Sequence, residues 1–499
     1  MHLPFLSILI WLPVLGSIPI LMLHRPHQVQ LARSLALLIS AALLLLSLAM
    51  IGQFNADTAA MQFRETFSWV PSMQLNYDVG VDGISLPLII LTCFTTFVIV
   101  LASWSMVQEK VAQYLAAFLV MQGMVIGVFA ALDAILFYFF WEGMLIPMYL
   151  SIGIWGGPNR AYAAIKFFIY TFFGSALLLV VLLYLGLQAN SFNILDFYHL
   201  RLPYTIQLFV FFGFLLAFAI KVPMWPLHTW LPDAHTEAPT GGSVVLAALM
   251  LKIGGYGFLR FSLPIVPAAN HTFAWMMIIL SLIAIVYVGF IAIAQTDMKK
   301  LIAYSSVAHM GFVTLGCYLA LLIAMNNIQD AILAIDGAMV QMISHAFGSG
   351  AMFLAFGVLY HQLATRDIKS FGGIAKVMPV FSAFFILFAM SNVGLPGTSG
   401  FVGEFLVIIS AFKTSFWVTC IAASTLIVGA VYTLWMVKRV FFGKIVYSAV
   451  AQLHEASALE IGIFVLLAIP VLWIGVYPNP LLHLMEASLQ NVLSLAMRV

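Results

Sequence analysis

The ionisable side chains that stand out inside long apolar runs of this sequence are Glu142, Lys221, Lys252, His309, His345 and Glu404. Such groups are costly in a bilayer, about 2.5 to 3.5 kcal/mol for a lysine at a helix centre, and those that persist usually line ion pathways or proton relays. Carboxylates, ammoniums and imidazoles all exchange protons, and histidine does so near neutrality. The chemistry this set could perform is therefore proton transfer. Burial disfavours an ammonium and a nearby carboxylate favours it, so a Glu142 that approached or withdrew could load or release the proton of Lys221. Lys252 lies about 16 Å along its helix from Gly241, near the midplane, where it can neither snorkel nor reach water easily. Plainer readings stand beside these. Lys221 could snorkel to the interface, each histidine could be packed against one backbone carbonyl, and Glu142 or Glu404 could be a permanently protonated carboxyl bonded to a neighbour.

The elements that must hold these groups are broken helices. The run TIQLFVFFGFLLAFAI meets Lys221 and then VPMWPLHTWLPDAHTEAPTGG, where Pro223 and Pro226 should leave the carbonyls of Ala219 and Val222 without intrahelical partners. Broken backbone at membrane depth is tolerated only against protein or a water-filled cavity, so this break should line one. A second break is expected in SNVGLPGTSGFVGEF, at Pro396 with Gly394, Gly397 and Gly400. The apolar stretch around it would be about 50 Å long as one straight helix, against a hydrocarbon core of about 30 Å. Pro147 predicts a local kink beside Glu142.

The nearby set His228, Asp233, His235 and Glu237 matches no standard zinc spacing. It is expected to satisfy the broken helix and to admit protons from the cytoplasm rather than to hold a metal. The glycines of GGYG at 254–257 and FGSG at 347–350 follow no strand, which makes them helix-packing positions and not a nucleotide loop.

The 499 residues are 64% hydrophobic and only 8% charged, so the chain is expected to be an all-α polytopic membrane protein. The formal net charge of +2 points to no nucleic-acid partner. Cys93, Cys317 and Cys420 lie far apart, without the spacing of a disulfide framework, an iron–sulfur cluster or haem attachment. The first apolar run has no basic stretch before it and reads as a span rather than a cleaved signal or a mitochondrial leader.

Fourteen spans are predicted, near 3–23, 31–52, 84–106, 112–131, 134–154, 163–188, 205–232, 241–261, 272–294, 301–324, 332–360, 377–411, 414–441 and 459–477, with an amphipathic tail over 479–499. Arg25, Arg33, Lys110, Arg160, Lys166, Lys299, Lys300, Arg366, Lys369, Lys376, Lys438, Arg439 and Lys444 then fall on one side, against Arg64, Arg201, Arg260, Lys413 and Arg498 on the other. The first side is expected to be cytoplasmic, with both termini outside. Spans 4–8 pair with spans 9–13, each set having its broken helix fourth, and an odd number of spans inverts the second copy. The expected units are three N-terminal spans in 1–111, a five-helix repeat in 112–261, its inverted copy in 272–441, and a last span with its tail in 442–499. Each repeat carries one ionisable pair, Glu142 with Lys221 and His309 with Glu404.

The motifs KVPMWPLHTWLPDAHTEAPT from Lys221, FWEGMLIPMYL around Glu142, LMLKIGGYG around Lys252, YSSVAHMG around His309 and GTSGFVGEF around Glu404 resemble the antiporter-like subunits of proton-pumping NADH:quinone oxidoreductase, respiratory complex I. The resemblance covers roughly residues 80 to 445. It implies a fourteen-helix subunit with two inverted five-helix repeats and two discontinuous helices. It implies Glu142 and Lys221 as one half-channel pair, Lys252 as central bridge, His309 and His345 as relay and Glu404 as terminal group. The acid at 404 resembles the subunit M type, whereas sister subunits carry a lysine there. The resemblance places no cofactor in this chain: NADH, FMN, iron–sulfur clusters and quinone are expected in partner subunits. The implied setting is a bacterial plasma membrane, next to other membrane subunits and the lipid bilayer. A subunit of a multisubunit sodium/proton antiporter and a membrane scaffold are the competing readings.

Overall fold

The computed structural model describes residues 3–445 and 447–498. Among these, thirteen helices are long and apolar enough to cross a membrane, and a bent pair ending in Pro379–Val393 brings the count to fourteen. The predicted spans are found, with their breaks now located. The seventh is Tyr204–Lys221 followed, after a turn, by the short helix Trp230–Glu237. The twelfth is Pro379–Val393 and Ser399–Thr414, separated where Gly394 and Gly397 adopt φ of 80° and 89°, a region open to glycine at little cost. The fifth is interrupted at Met144, between Ala134–Gly143 and Leu145–Trp155, as Pro147 requires.

The expectation that His228, Asp233, His235 and Glu237 satisfy the first break is not met. The carbonyl of Ala219 accepts from the Met224 N–H at 2.8 Å, and that of Ile220 from the Trp230 indole at 2.9 Å. The chain turns back early enough for its own backbone and an indole to supply the donors. Asp233 instead pairs with Lys166 at 2.7 Å, and Glu237 with Arg366 at 3.2 Å.

The chain is not wholly α-helical. Between the second and third spans, Gln62–Val70 and Leu75–Val81 form an antiparallel hairpin. Its anchor is Asp78, which takes a bidentate pair from Arg64 at 2.9 and 2.6 Å and a hydrogen bond from Asn193 at 2.8 Å. Glu65 accepts from the Leu6 N–H at 2.8 Å, placing an anion at the N-terminus of the first helix. The amphipathic segment Asn479–Ala496 is a helix whose Ser488 accepts from the Gly83 N–H at 2.9 Å.

At the bundle's centre the helices Thr240–Ile265, Met298–Ala324 and Ile328–Leu363 are buried along their length. Glycine lets them close up. A Cβ on Gly254 would stand 2.7 Å from Val222 N and 2.8 Å from Phe218 O, so the helix of Lys252 touches the backbone of the first break. A Cβ on Gly400 would stand 1.9 Å from the carbonyl oxygen of Ser391, where the two pieces of the twelfth span pass each other.

Candidate functional site

In the first half, Lys221 ends its helix with 1% of its surface exposed, and its Nζ has no hydrogen-bond partner. The ammonium lies over two rings, 5.2 Å from the centroid of Trp141 and 6.0 Å from that of Phe167. Glu142, the residue after Trp141, also keeps a buried oxygen without a partner. The two are not ion-paired, yet each is the charged group whose field reaches the other. The sequence pairing is thus met in neighbourhood but not in contact. A lysine held by aromatic faces near a free carboxylate has two positions available to it, with and without its counter-ion.

Lys252 is completely buried, on the short α-helical stretch Leu251–Gly257 between two π-helical turns, Leu246–Met250 and Phe258–Ser262. Such wide turns release backbone carbonyls from the regular ladder and recur at functional sites. Lys252 Nζ reaches the carbonyl oxygen of Ala247 at 2.5 Å and His345 Nδ1 at 2.7 Å.

From there two imidazoles lead to a carboxylate in the second half. The rings of His345 and His309 are 5.7 Å apart at their centroids. His309 Nδ1 meets Glu404 Oε1 at 2.7 Å, and Gln341 Nε2 donates to the same oxygen at 3.2 Å. The Nε2 atoms of both histidines are buried without partners. Both rings line a small pocket of about 10 Å³ whose walls include Gln341, Ser344, Ser391 and Asn392, polar and with room for no more than a single water. The structure therefore brings four of the six expected residues into one line, Lys252, His345, His309 and Glu404. Glu142 and Lys221 stand apart as a second pair.

Sequence reasoning missed Gln341, although its place four residues before His345 puts both on one helix face. It also missed Lys299, which is buried at the start of its helix with Nζ on the carbonyl oxygen of Ala238 at 2.5 Å. His235 is part of the set expected to satisfy the first break. It is fully buried in the short helix after the break, stacked on Phe353 with 4.5 Å between centroids, and both its ring nitrogens lack partners.

Residues 7–130 match the family described as NADH-ubiquinone oxidoreductase chain 4, amino terminus, and residues 131–430 match the family described as NADH:quinone oxidoreductase/Mrp antiporter, TM. The chain belongs to the antiporter-like subunits of NADH:quinone oxidoreductase. It is 45% identical to NADH-quinone oxidoreductase subunit M of Rhodobacter capsulatus, over 98% of this chain and 96% of that protein. It is 42% identical to NADH-ubiquinone oxidoreductase chain 4 of Chondrus crispus, over 97% and 96%. Among solved structures, a chain of respiratory complex I from Thermus thermophilus with bound NADH superposes with a TM-score of 0.87 at 28% identity, covering 98% of this chain and 99% of that one. A chain of the Mrp complex from a Dietzia species superposes with a TM-score of 0.85 at 18% identity, covering 99% and 98%, a likeness of fold alone. The resemblance to the subunit M type is thus supported, and the sodium/proton antiporter is a distant relative.

Proposed function

We propose that protons cross this complex I subunit along Glu142, Lys221, Lys252, His345, His309 and Glu404. The chain is a proton-translocating membrane subunit of an NADH:quinone oxidoreductase, part of a translocase. The observation that carries the relay is the run of groups from Lys252 Nζ to the Glu404 carboxylate, with a hydrogen bond of 2.7 Å at each end and, between them, two imidazoles 5.7 Å apart beside a polar pocket. An imidazole bonded at Nδ1 with Nε2 facing a polar cavity can take a proton at one nitrogen and release one at the other. Lys252 supplies the group that changes charge at the junction, and Glu404 the acid that receives the proton.

The first half works as the switch. With its ammonium over Trp141 and Phe167, Lys221 stays within electrostatic reach of the Glu142 carboxylate. Closing that pair favours the charged lysine, and opening it leaves a desolvated ammonium that gives up its proton toward the centre. The repeats that move against each other are residues 112–261 and 272–441, preceded by the three spans of 1–111 and followed by 442–499. The charge bias supports a bacterial plasma membrane, with both termini on the periplasmic side. Family membership supports neighbouring antiporter-like subunits as partners, with NADH, FMN, iron–sulfur clusters and quinone handled elsewhere in the complex.

Replacing Glu142 by Gln or Lys221 by Ala tests the reading. Each is expected to abolish NADH-driven proton uptake in reconstituted vesicles while the complex still assembles. Parental pumping by either assembled variant would overturn the switch.

A further inference from the structure

At the bundle end that carries most of the basic residues, the helix Thr425–Phe441 finishes with Lys438 and Arg439 in its last turn. The Arg439 guanidinium stacks 3.9 Å from the ring centroid of Trp435, but its Nε and Nη2 are buried and, among the described residues, have no hydrogen-bond partner. Asp367 is the acid whose charge reaches it, and the two form no ion pair. A guanidinium held flat on an indole with an unused N–H edge is poised for a planar or tetrahedral oxyanion.

The surface below it says where that anion comes from. Ile427, Val431 and Trp435 are exposed at four-residue steps, with exposed Leu434 three residues after Val431, making an apolar stripe on the outside of the bundle. Exposed Lys438 and half-buried Arg439 follow Trp435 by three and four residues and cap that stripe. A molecule with a hydrocarbon body and an anionic head has both halves met, acyl chain on the stripe and phosphate at the charged cap. An indole between an apolar stripe and a basic cap is the pattern tryptophan favours at a membrane interface.

We propose that Trp435, Lys438 and Arg439 form a site for the phosphodiester of an anionic phospholipid in the leaflet at this end. Two basic side chains facing one phosphate favour a head with net negative charge over a zwitterionic one, as do juxtamembrane basic clusters generally.

The test uses the intact membrane complex, delipidated in detergent and titrated with dioleoylphosphatidylglycerol, dioleoylphosphatidylcholine or inorganic phosphate. Retained lipid per complex is measured by quantitative mass spectrometry, and assembly is checked on native gels. The parent is expected to keep one phosphatidylglycerol that Arg439→Gln binds roughly fivefold more weakly, the worth of one basic group at an anionic surface. Arg439→Lys should recover most of the binding, and inorganic phosphate should not displace the lipid. Equal retention by parent and Arg439→Gln, or equal preference for the two lipids, overturns the proposal. Displacement by inorganic phosphate would mean a free-anion site instead. Loss of a neighbouring subunit from Arg439→Gln with unchanged lipid would mean that a protein carboxylate occupies the edge, and would overturn it as well.

Discussion

Shortening Glu404 separates the need for an acid from the need for contact. Its Oε1 stands 2.7 Å from His309 Nδ1, and Glu404→Asp withdraws the carboxyl by about one carbon–carbon bond, opening that gap to roughly 4 Å. A donor and acceptor so far apart are not hydrogen-bonded. The lost bond to a charged group is worth about 1.5 to 3 kcal/mol. At about 1.4 kcal/mol per tenfold in rate, the step from His309 should slow by roughly 10- to 100-fold if it limits transport. Glu404→Gln keeps the length and the hydrogen-bonding capacity but has no proton to exchange, so its pumping should be lost altogether. The assay is proton uptake by vesicles carrying the reconstituted complex and driven by NADH, with quinone reduction followed in parallel and the output expressed per electron pair. The expected order is parent, then Asp, then Gln at background. Parental pumping by Glu404→Gln would refute Glu404 as a proton carrier. Parental pumping by Glu404→Asp would refute the direct handover from His309.

Lys252→Arg is expected to assemble and to lose pumping, because arginine keeps a fixed positive charge where the relay needs a group that can be neutral; pumping equal to the parent in the same vesicle assay would make Lys252 a static charge. Gly254→Ala would place a methyl 2.7 Å from Val222 N and 2.8 Å from Phe218 O, contacts to backbone that cannot swing aside. It should destabilise the subunit by about 1 to 3 kcal/mol, read as a lower midpoint for thermal loss of the complex in detergent, and an unchanged midpoint would show that the two helices can part freely.

Much of this protein could be read locally. Proline and glycine positions announced the breaks after Lys221 and before Glu404, because a missing N–H or an extra backbone freedom acts within one helical turn. Long apolar runs defined the spans, and charge within them singled out Glu142, Lys221, Lys252, His309, His345 and Glu404. The hairpin left a readable trace too, with Phe63, Glu65, Phe67 and Trp69 on alternate positions of Gln62–Val70, but it was overshadowed by the flanking spans.

Depth in the bilayer follows from counting residues along a helix, since each adds about 1.5 Å. Which side chains meet at a given depth depends on how each helix is rotated and what it packs against, and that is not local. Lys252 meets His345 across 93 positions and His309 meets Glu404 across 95, so only the packed bundle joins them into a line. The same holds where expectation and structure parted. Glu142 and Lys221 match in depth, but the rings of Trp141 and Phe167 hold the ammonium out of ion-pair contact. The break after Lys221 draws its hydrogen bonds from Met224 and Trp230, leaving Asp233 and Glu237 to the cations that packing brings beside them.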